Sequence, residues 1–376
     1  MQQPAILIYN LSDAIGGLEL ISLSYFKALR DKGADVWFLC LENSPIHQRL
    51  TGYANRLVLS KQPGKKFSPY LFSLLRRTVR EKKIDVVHAH NSRDIWLCAL
   101  ALQGQKSKLI YTSHNFIDRH FKKGLVHRLI YGRCDLVTVF TEVQKKAFAQ
   151  THPVPLQKIK VIPNGVPVSI IRESLTGREA TRAALGWLPG NLVIGIVGRV
   201  LPGKGQWLLL QVAPEIFSNF PQARILLVGG DTQGNESAYQ QELKESVQPF
   251  VADGRIVFSG FTDKVAESLA ALDIFILPSR AENFGTVLLE AMAAGLPCAG
   301  TNAAGTPEIL DGGKTGLLFE PENPDDLKEK LFRLLADESL RQQLGRAALQ
   351  KVKRCYDLPL VIKRWEETYR EVAAAS

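Results

Sequence analysis

Residues 273–301, "DIFILPSRAENFGTVLLEAMAAGLPCAGT", decide the fold. The run DIFILP (273–278) is apolar, short and rich in β-branched and aromatic side chains, which is how a strand buried on both faces reads. Gly285 allows a tight turn into TVLLEAMAAG (286–295), a helical pattern built from small apolar residues, and PCAGT (297–301) starts a second buried strand. Strand, helix and strand in so short a span make a βαβ unit with parallel strands. Two carboxylates interrupt it. Glu282 stands just before the helix and Glu290 inside it, on an otherwise apolar face where an unpartnered carboxylate is costly to bury. Amides at a helix start lack intrahelical partners and lie at the positive end of the dipole. Asn283, Phe284, Gly285, Thr286 and Val287 are therefore candidates to bind phosphate or sugar oxygens. A carboxylate accepts two hydroxyl hydrogens from a vicinal diol. Glu290, about 7 Å further along the helix at 1.5 Å per residue, then suits a ribose, and Glu282 a hexose. The plainer reading is an ordinary loop acid before a capped helix.

The same alternation runs outward in both directions. Before this unit come the strand candidates LVIGIVG (192–198), ARILLVGG (223–230) and RIVFSG (255–260). The first half adds AILIYN (5–10), ADVWFLC (34–40), DVVHAH (85–90), KLIYTS (108–113), DLVTVF (135–140) and IKVIP (159–163), mostly with helical patterns between them. The expected architecture is α/β, with two parallel, doubly wound sheets. Residues 164–191 read as the linker, and the tail from about Glu322 as helical. The expected domains are 1–165 and 166–357, with the final helix, about 358–376, packing back on the first. Ligands in such sheets collect beyond the carboxyl ends of the strands, where most of the polar oddities of this chain fall.

The bulk composition excludes several classes. With 376 residues the chain suits two domains. It has no stretch of roughly 18 apolar residues to span a membrane, no secretory leader pattern at MQQPAILIYNLS, and no repeat. Five cysteines without metal-ligand spacing read as buried thiols in a reducing compartment. The expectation is a cytoplasmic protein. The net charge of +10 is uneven: residues 1–166 hold 25 basic against 11 acidic residues, and 167–376 hold 22 against 26. Much of the excess lies in KQPGKKFSPYLFSLLRRTVREKK (61–83) and DRHFKKGLVHRLIYGR (118–133), where Lys and Arg interleave with Phe, Leu and Tyr. Such segments fit either an anionic membrane surface or a solvated helix face over a core. No nucleic-acid-binding signature accompanies them, so no nucleic-acid partner is expected.

Further candidates follow strand ends. In GRVLPGKGQWLLLQ (198–211), Gly198, Arg199 and Lys204 meet a flexible turn before a helix, an arrangement suited to a diphosphate. It is not a Walker loop, because GxxxxGK[ST] is absent. Gly16 and Gly17, in NLSDAIGGLELIS, can bring amides to the same ligand, whereas a dinucleotide fingerprint would need GxGxxG, which speaks against a nicotinamide oxidoreductase. His88 and His90 in DVVHAH lack a third ligand for a metal; the expectation is one imidazole packed inside and the other facing a cleft. His114, beside Asn115 in YTSHNF, is the better candidate to touch substrate. No Asp-x-Asp occurs, so neither metal nor other cofactor is expected.

Together, "GGLE", "DVVHAH", "TSHN", "VIPNGV", "GRVLPGKG" and "ENFGTVLLEAMAAGLPCAGTNAAGTPEIL" resemble the family 4 glycosyltransferases, in order over nearly the whole chain. The resemblance implies the GT-B fold: two Rossmann-like doubly wound domains facing across a cleft. It also implies a retaining, metal-independent transferase moving a hexosyl unit from a nucleotide-diphosphate sugar, UDP-sugar favoured, to a glycan or glycolipid acceptor. The expected setting is bacterial lipopolysaccharide or exopolysaccharide synthesis, and the charge asymmetry of the chain adds the expectation that the basic first domain makes peripheral contact with an anionic membrane. An epimerase or hydrolase on the same fold is the alternative. Position by position, the resemblance assigns Arg199 and Lys204 to the diphosphate. Glu282, helped by the amides of Phe284 and Gly285, goes to the hexose, and Glu290 to the ribose. Gly16 and Gly17 fall to the transferring group, and His114 to the sugar near its hydroxymethyl end. The chain departs from the family pattern at PVSII after NGV, and at Ala303-Ala304-Gly305, where a glycine pair is usual.

Overall fold

The computed structural model describes residues 3–114, 121–230 and 237–375; Asn115 and residues 118–120 of the second basic segment lie outside them. The chain divides into two compact units, Met1–Asn164 with Pro359–Ser376, and Gly165–Leu358. In the first, the described residues form a parallel sheet of β1 (Ile6–Tyr9), β2 (Val36–Leu41), β3 (Leu57–Ser60), β4 (Val86–Ala89), β5 (Lys108–Thr112), β6 (Leu136–Val139) and β7 (Ile159–Val161). Its order is β3-β2-β1-β4-β5-β6-β7. β1 and β4 are buried throughout and pair in register, Ile6 opposite Val86. Both faces of these strands are covered by helices, which is why they read as apolar runs, interrupted in β4 by His88. The chain winds outward in one direction from β1 and in the other from β4, so the crossovers part there and leave a crevice at the carboxyl ends of the two strands.

The second unit repeats the plan with β8 (Leu192–Val197), β9 (Ala223–Val228), β10 (Ile256–Gly260), β11 (Ile274–Leu277), β12 (Cys298–Thr301) and β13 (Leu317–Phe319), in the order β10-β9-β8-β11-β12-β13. Its switch point lies between β8 and β11. The sequence reading missed the edge strands β3 and β13. Both are short and only partly buried, and an edge strand lacks the two-sided burial that makes a strand conspicuous.

The supposed linker 164–191 is a correction. It folds into the helices Val168–Glu173 and Arg178–Ala184 within the second unit. The latter delivers two guanidinium groups to Asp273, at the foot of β11. Arg178 Nη2 donates to Oδ1 at 2.5 Å and the buried Arg182 Nη2 to Oδ2 at 2.5 Å, while the Val193 amide of β8 donates to the same Oδ2 at 2.7 Å. The polar segment is structured because one carboxylate ties it to two central strands.

The tail is helical, in three pieces: Pro324–Ala336, Glu338–Cys355 and Leu358–Ala374. The first two start on side-chain caps from Asn323 and Asp337, which supply acceptors to otherwise unpaired amides. The last helix belongs to the first unit, where Trp365 and Tyr369 are fully buried. Replacing Asp273 by alanine leaves the Arg182 guanidinium buried without its partner. The expected loss is about 3–5 kcal/mol of stability, read as a lower denaturant midpoint for the full chain; an unchanged midpoint refutes the tie.

Candidate active site

In the second unit the polar candidates gather beyond the carboxyl ends of β8 and β11. Here the backbones approach so closely that side chains are excluded. Gly205 has φ 73°, and a Cβ on it would lie 2.1 Å from the Pro278 carbonyl oxygen. Gly229 has φ 135°, and its Cβ would lie 1.9 Å from the carbonyl oxygen of Gly198. Both positions therefore demand glycine. The Arg280 amide donates to the Gly203 carbonyl at 3.1 Å, stitching the loop after β11 to the loop after β8. Gln206 Nε2 donates to the Arg199 carbonyl at 2.8 Å and braces the same loop from the helix Gln206–Asn219.

These contacts bring together two residues 78 positions apart: Lys204 Nζ donates to Glu282 Oε2 at 2.5 Å. Both are partly exposed, with 32% and 20% of their side-chain surface open to solvent. The Glu282 loop is fixed from a third side, since the Gly305 amide donates to the Glu282 carbonyl at 2.8 Å and Thr301 Oγ1 to the Ser279 carbonyl at 2.8 Å. Arg199 is exposed on the same loop as Lys204.

The helix Thr286–Ala294 starts beside this pair. Gly285 is its N-cap and offers no side-chain acceptor to the first-turn amides; a Cβ there would approach Leu277 to 2.9 Å. Asn283 is nearly buried, and the Phe284 ring packs edge-on against Tyr356 with centroids 5.8 Å apart. Thr286 and Val287 are half-buried. Glu290 keeps some exposed surface, but burial pushes its carboxyl up to about 7. The structure thus assembles a cation–carboxylate pair, a helix start without a side-chain cap, and a second acid on that helix. An anion with attached hydroxyls finds suitable partners there.

In the first unit, Gly16 is the N-cap of the helix Gly17–Asp31, also without a side-chain cap, in extended backbone that any residue adopts. What glycine supplies here is room: a Cβ on Gly16 would come within 3.2 Å of Glu19 Oε2, while one on Gly17 would meet nothing. His114 follows β5, and its Nε2 lies 2.9 Å from His90 Nδ1. The expectation of one inward and one outward imidazole in DVVHAH is overturned, because His88 and His90 are both fully buried. His88 uses both ring nitrogens, Nδ1 with the Tyr369 hydroxyl at 2.7 Å and Nε2 with Thr112 Oγ1 at 2.6 Å. Burial pushes His90 down to about 3 and holds His88 and His114 well below the usual imidazole range, so all three are neutral.

One residue escaped the sequence reading. Asp94, in the first turn of the helix Asp94–Ala101, is fully buried, and burial raises its carboxyl to about 7. The signal available was an acid followed directly by the apolar run IWLCALA. The Lys204–Glu282 pairing and the Gln206 brace were equally invisible, because they depend on where two loops meet.

Two family models match the chain, "Glycosyltransferase Family 4" over residues 15–170 and "Glycosyl transferases group 1" over residues 177–351. The N-acetyl-alpha-D-glucosaminyl L-malate synthase of Bacillus anthracis is 26% identical, over 96% of this chain and 95% of its own. The UDP-Gal:alpha-D-GlcNAc-diphosphoundecaprenol alpha-1,3-galactosyltransferase of Escherichia coli is 25% identical, over 88% of each. Among solved structures, HepE of Anabaena, in complex with UDP and glucose, superposes with a TM-score of 0.83 at 24% identity, over 97% of this chain and 99% of its own. A glycosyltransferase of Rickettsia africae does so with 0.88 at 19% identity, over the whole of both chains. With matching models in tandem on the two sheets, and relatives and folds that run the length of the chain, the protein belongs to the family 4 glycosyltransferases and has the GT-B fold.

Proposed function

We propose that the protein is a retaining, metal-independent hexosyltransferase. It uses a UDP-sugar and a glycan or lipid-linked acceptor in bacterial lipopolysaccharide or exopolysaccharide synthesis. The observation that carries the reading is the Lys204–Glu282 pair beside the helix start at Gly285. The choice of uridine and of a lipid-linked acceptor is supported by HepE, which holds UDP and glucose, and by the name of the Escherichia coli relative. The excess of 25 basic over 11 acidic residues in 1–166 favours an anionic acceptor and a peripheral membrane position.

In this reading Lys204 exchanges part of its interaction with Glu282 for the donor diphosphate. Arg199 and the amides of Phe284, Gly285, Thr286 and Val287 complete the anion site. Glu282, held by its own backbone, accepts hydroxyl hydrogens of the hexose, and Glu290 those of the ribose. Gly16 and Gly17 admit the transferring group, and neutral His114 contacts the sugar. The bond from the anomeric carbon to the diphosphate oxygen breaks first, and its electron pair stays on the leaving phosphate. The acceptor oxygen bonds to the anomeric carbon from the same face, and its proton passes to the departing phosphate oxygen. Fixed cations and amides aimed at that developing charge are the main source of rate, as in other sites of this kind. The chain's own cations take the place of a divalent ion, so transfer is expected to persist in EDTA.

Substituting Lys204→Ala is expected to lower turnover by about 10²–10³-fold, measured with UDP-glucose and a glycan acceptor; wild-type turnover overturns the role. Donor choice is read from thermal stabilisation by UDP-, GDP- and ADP-sugars, since a ligand of the folded state raises apparent stability. UDP-sugars are expected to give the largest shift. A free sugar, or an epimeric nucleotide sugar, formed from donor alone would mark a hydrolase or an epimerase instead.

Glu290 gives a pH signature. Its free carboxyl titrates near 7, and the ribose hydroxyls favour the carboxylate, the form that accepts both hydrogens. Donor binding therefore removes a proton, and affinity for UDP-glucose rises from pH 6 to pH 8, by up to about tenfold per unit below the free value. Glu290→Gln should flatten this profile. A wild-type profile already flat over that range excludes the assignment.

A further inference from the structure

The imidazole pair at the carboxyl ends of β4 and β5 has a direction that its spacing alone does not give. His90 Nδ1 and His114 Nε2 stand 2.9 Å apart, so one nitrogen carries a hydrogen and the other accepts it. His90 is fully buried, and its Nε2 has no hydrogen-bond partner among the described residues. A neutral imidazole has a single N–H. Placed on Nε2 of His90, that hydrogen would be an orphaned donor in a buried layer, which native structures avoid more strictly than an idle acceptor. Placed on Nδ1, it points at His114 and leaves only a bare lone pair at Nε2. The second arrangement costs less. It makes His114 Nε2 the acceptor and puts the hydrogen of His114 on Nδ1, because the bond made by one ring nitrogen sets the state of the other.

Both rings are held in place. His90 packs on His88 with centroids 4.1 Å apart and planes inclined by 33°, and His88 packs in turn on Trp365 at 4.7 Å. His88 is locked, because the Tyr369 hydroxyl and Thr112 Oγ1 hold its two nitrogens at 2.7 Å and 2.6 Å. The His114 ring meets Phe140 edge-on at 5.1 Å. Its backbone is fixed one residue earlier, where the Ser113 amide donates to the Thr138 carbonyl at 2.9 Å and Gln144 Nε2 to the Ser113 carbonyl at 2.9 Å. Unlike His90, His114 keeps part of its surface exposed. The pair therefore runs from an enclosed ring to one that solvent reaches.

We infer that His90 is a positioning residue for the transfer: it holds His114 in the Nδ1–H form, so that His114 meets the donor sugar as a hydrogen-bond donor to one of its oxygens. The inference rests on the sugar contact of His114 proposed above and adds its polarity. Free neutral histidine favours the opposite form, with the hydrogen on Nε2, and would offer the sugar an acceptor. An acceptor demands a hydroxyl opposite it, whereas a donor is satisfied by a hydroxyl or a ring oxygen. His90 never touches the sugar; it acts through the ring it faces.

The test is a long-range proton–nitrogen NMR spectrum of the full chain carrying isotope-labelled histidine, with His114 assigned by the signals lost in His114→Gln. The expected pattern for His114 is a protonated Nδ1 and a bare Nε2. His90→Phe keeps a flat ring on His88 but removes the donor, and in it the hydrogen of His114 should move to Nε2. In that variant kcat/KM for UDP-glucose should fall about tenfold. Thermal stabilisation by UDP alone should stay at the wild-type value, showing that the variant folds and binds the nucleotide. His90→Asn, whose amide can donate to His114 Nε2, should recover most of the lost transfer. A wild-type spectrum with the His114 hydrogen on Nε2 overturns the inference, and so does wild-type transfer in His90→Phe or in His114→Gln. No turnover of UDP-glucose by the wild type, alongside the expected spectrum, removes the proposed donor and still supports the pairing.

Discussion

Beside Lys204 two backbones run so close that no side chain fits between them. Gly205 meets the carbonyl of Pro278, and on the other side of β8 Gly229 meets the carbonyl of Gly198. The first contact fixes the loop after β8 to the end of β11, the second holds the loop after β9 against the end of β8, and the Arg280–Gly203 hydrogen bond completes the join between the β8 and β11 loops. Lys204 and Glu282 meet because their loops have no freedom to part. Any side chain at Gly205 would displace a backbone, and the geometry of the charge pair would go with it.

The first unit solves a different problem. Its central strands carry polar groups into a fully buried layer, where unpaired groups are expensive. His88 is satisfied by Thr112 on one side and Tyr369 on the other, and Thr112 continues to Thr138 at 2.6 Å. Trp365 stacks on Tyr369 and lies 4.7 Å from the His88 ring. The last helix thus supplies both the apolar cover and one of the hydrogen-bond partners that this layer needs. Neutral imidazoles suit such an interior, because burial makes a charged ring costly.

Much of the fold was legible along the chain. Runs such as LVIGIVG and DIFILP are strands buried on both faces, and burial on both faces is a local property of composition. The edges β3 and β13 were not legible, since a half-exposed strand of three or four residues has no periodicity to read. The segment 164–191 misled for the opposite reason: its arginines look solvated in sequence, yet Arg182 is buried against Asp273.

The candidate site divides in the same way. Sequence by itself marked the glycine turns, the helix start at Gly285 and the acids Glu282 and Glu290, because a turn, a cap and a misplaced charge are each recognisable from a few neighbours. It also determined the parallel α/β class, since buried strands alternating with helices allow little else. Only the tertiary structure decided which of these groups touch. It joined Lys204 to Glu282, His114 to His90, and Phe67 to His127 through Trp96. Those pairings depend on where strands lie in a sheet whose order is not the order of the chain, and no local rule carries that information.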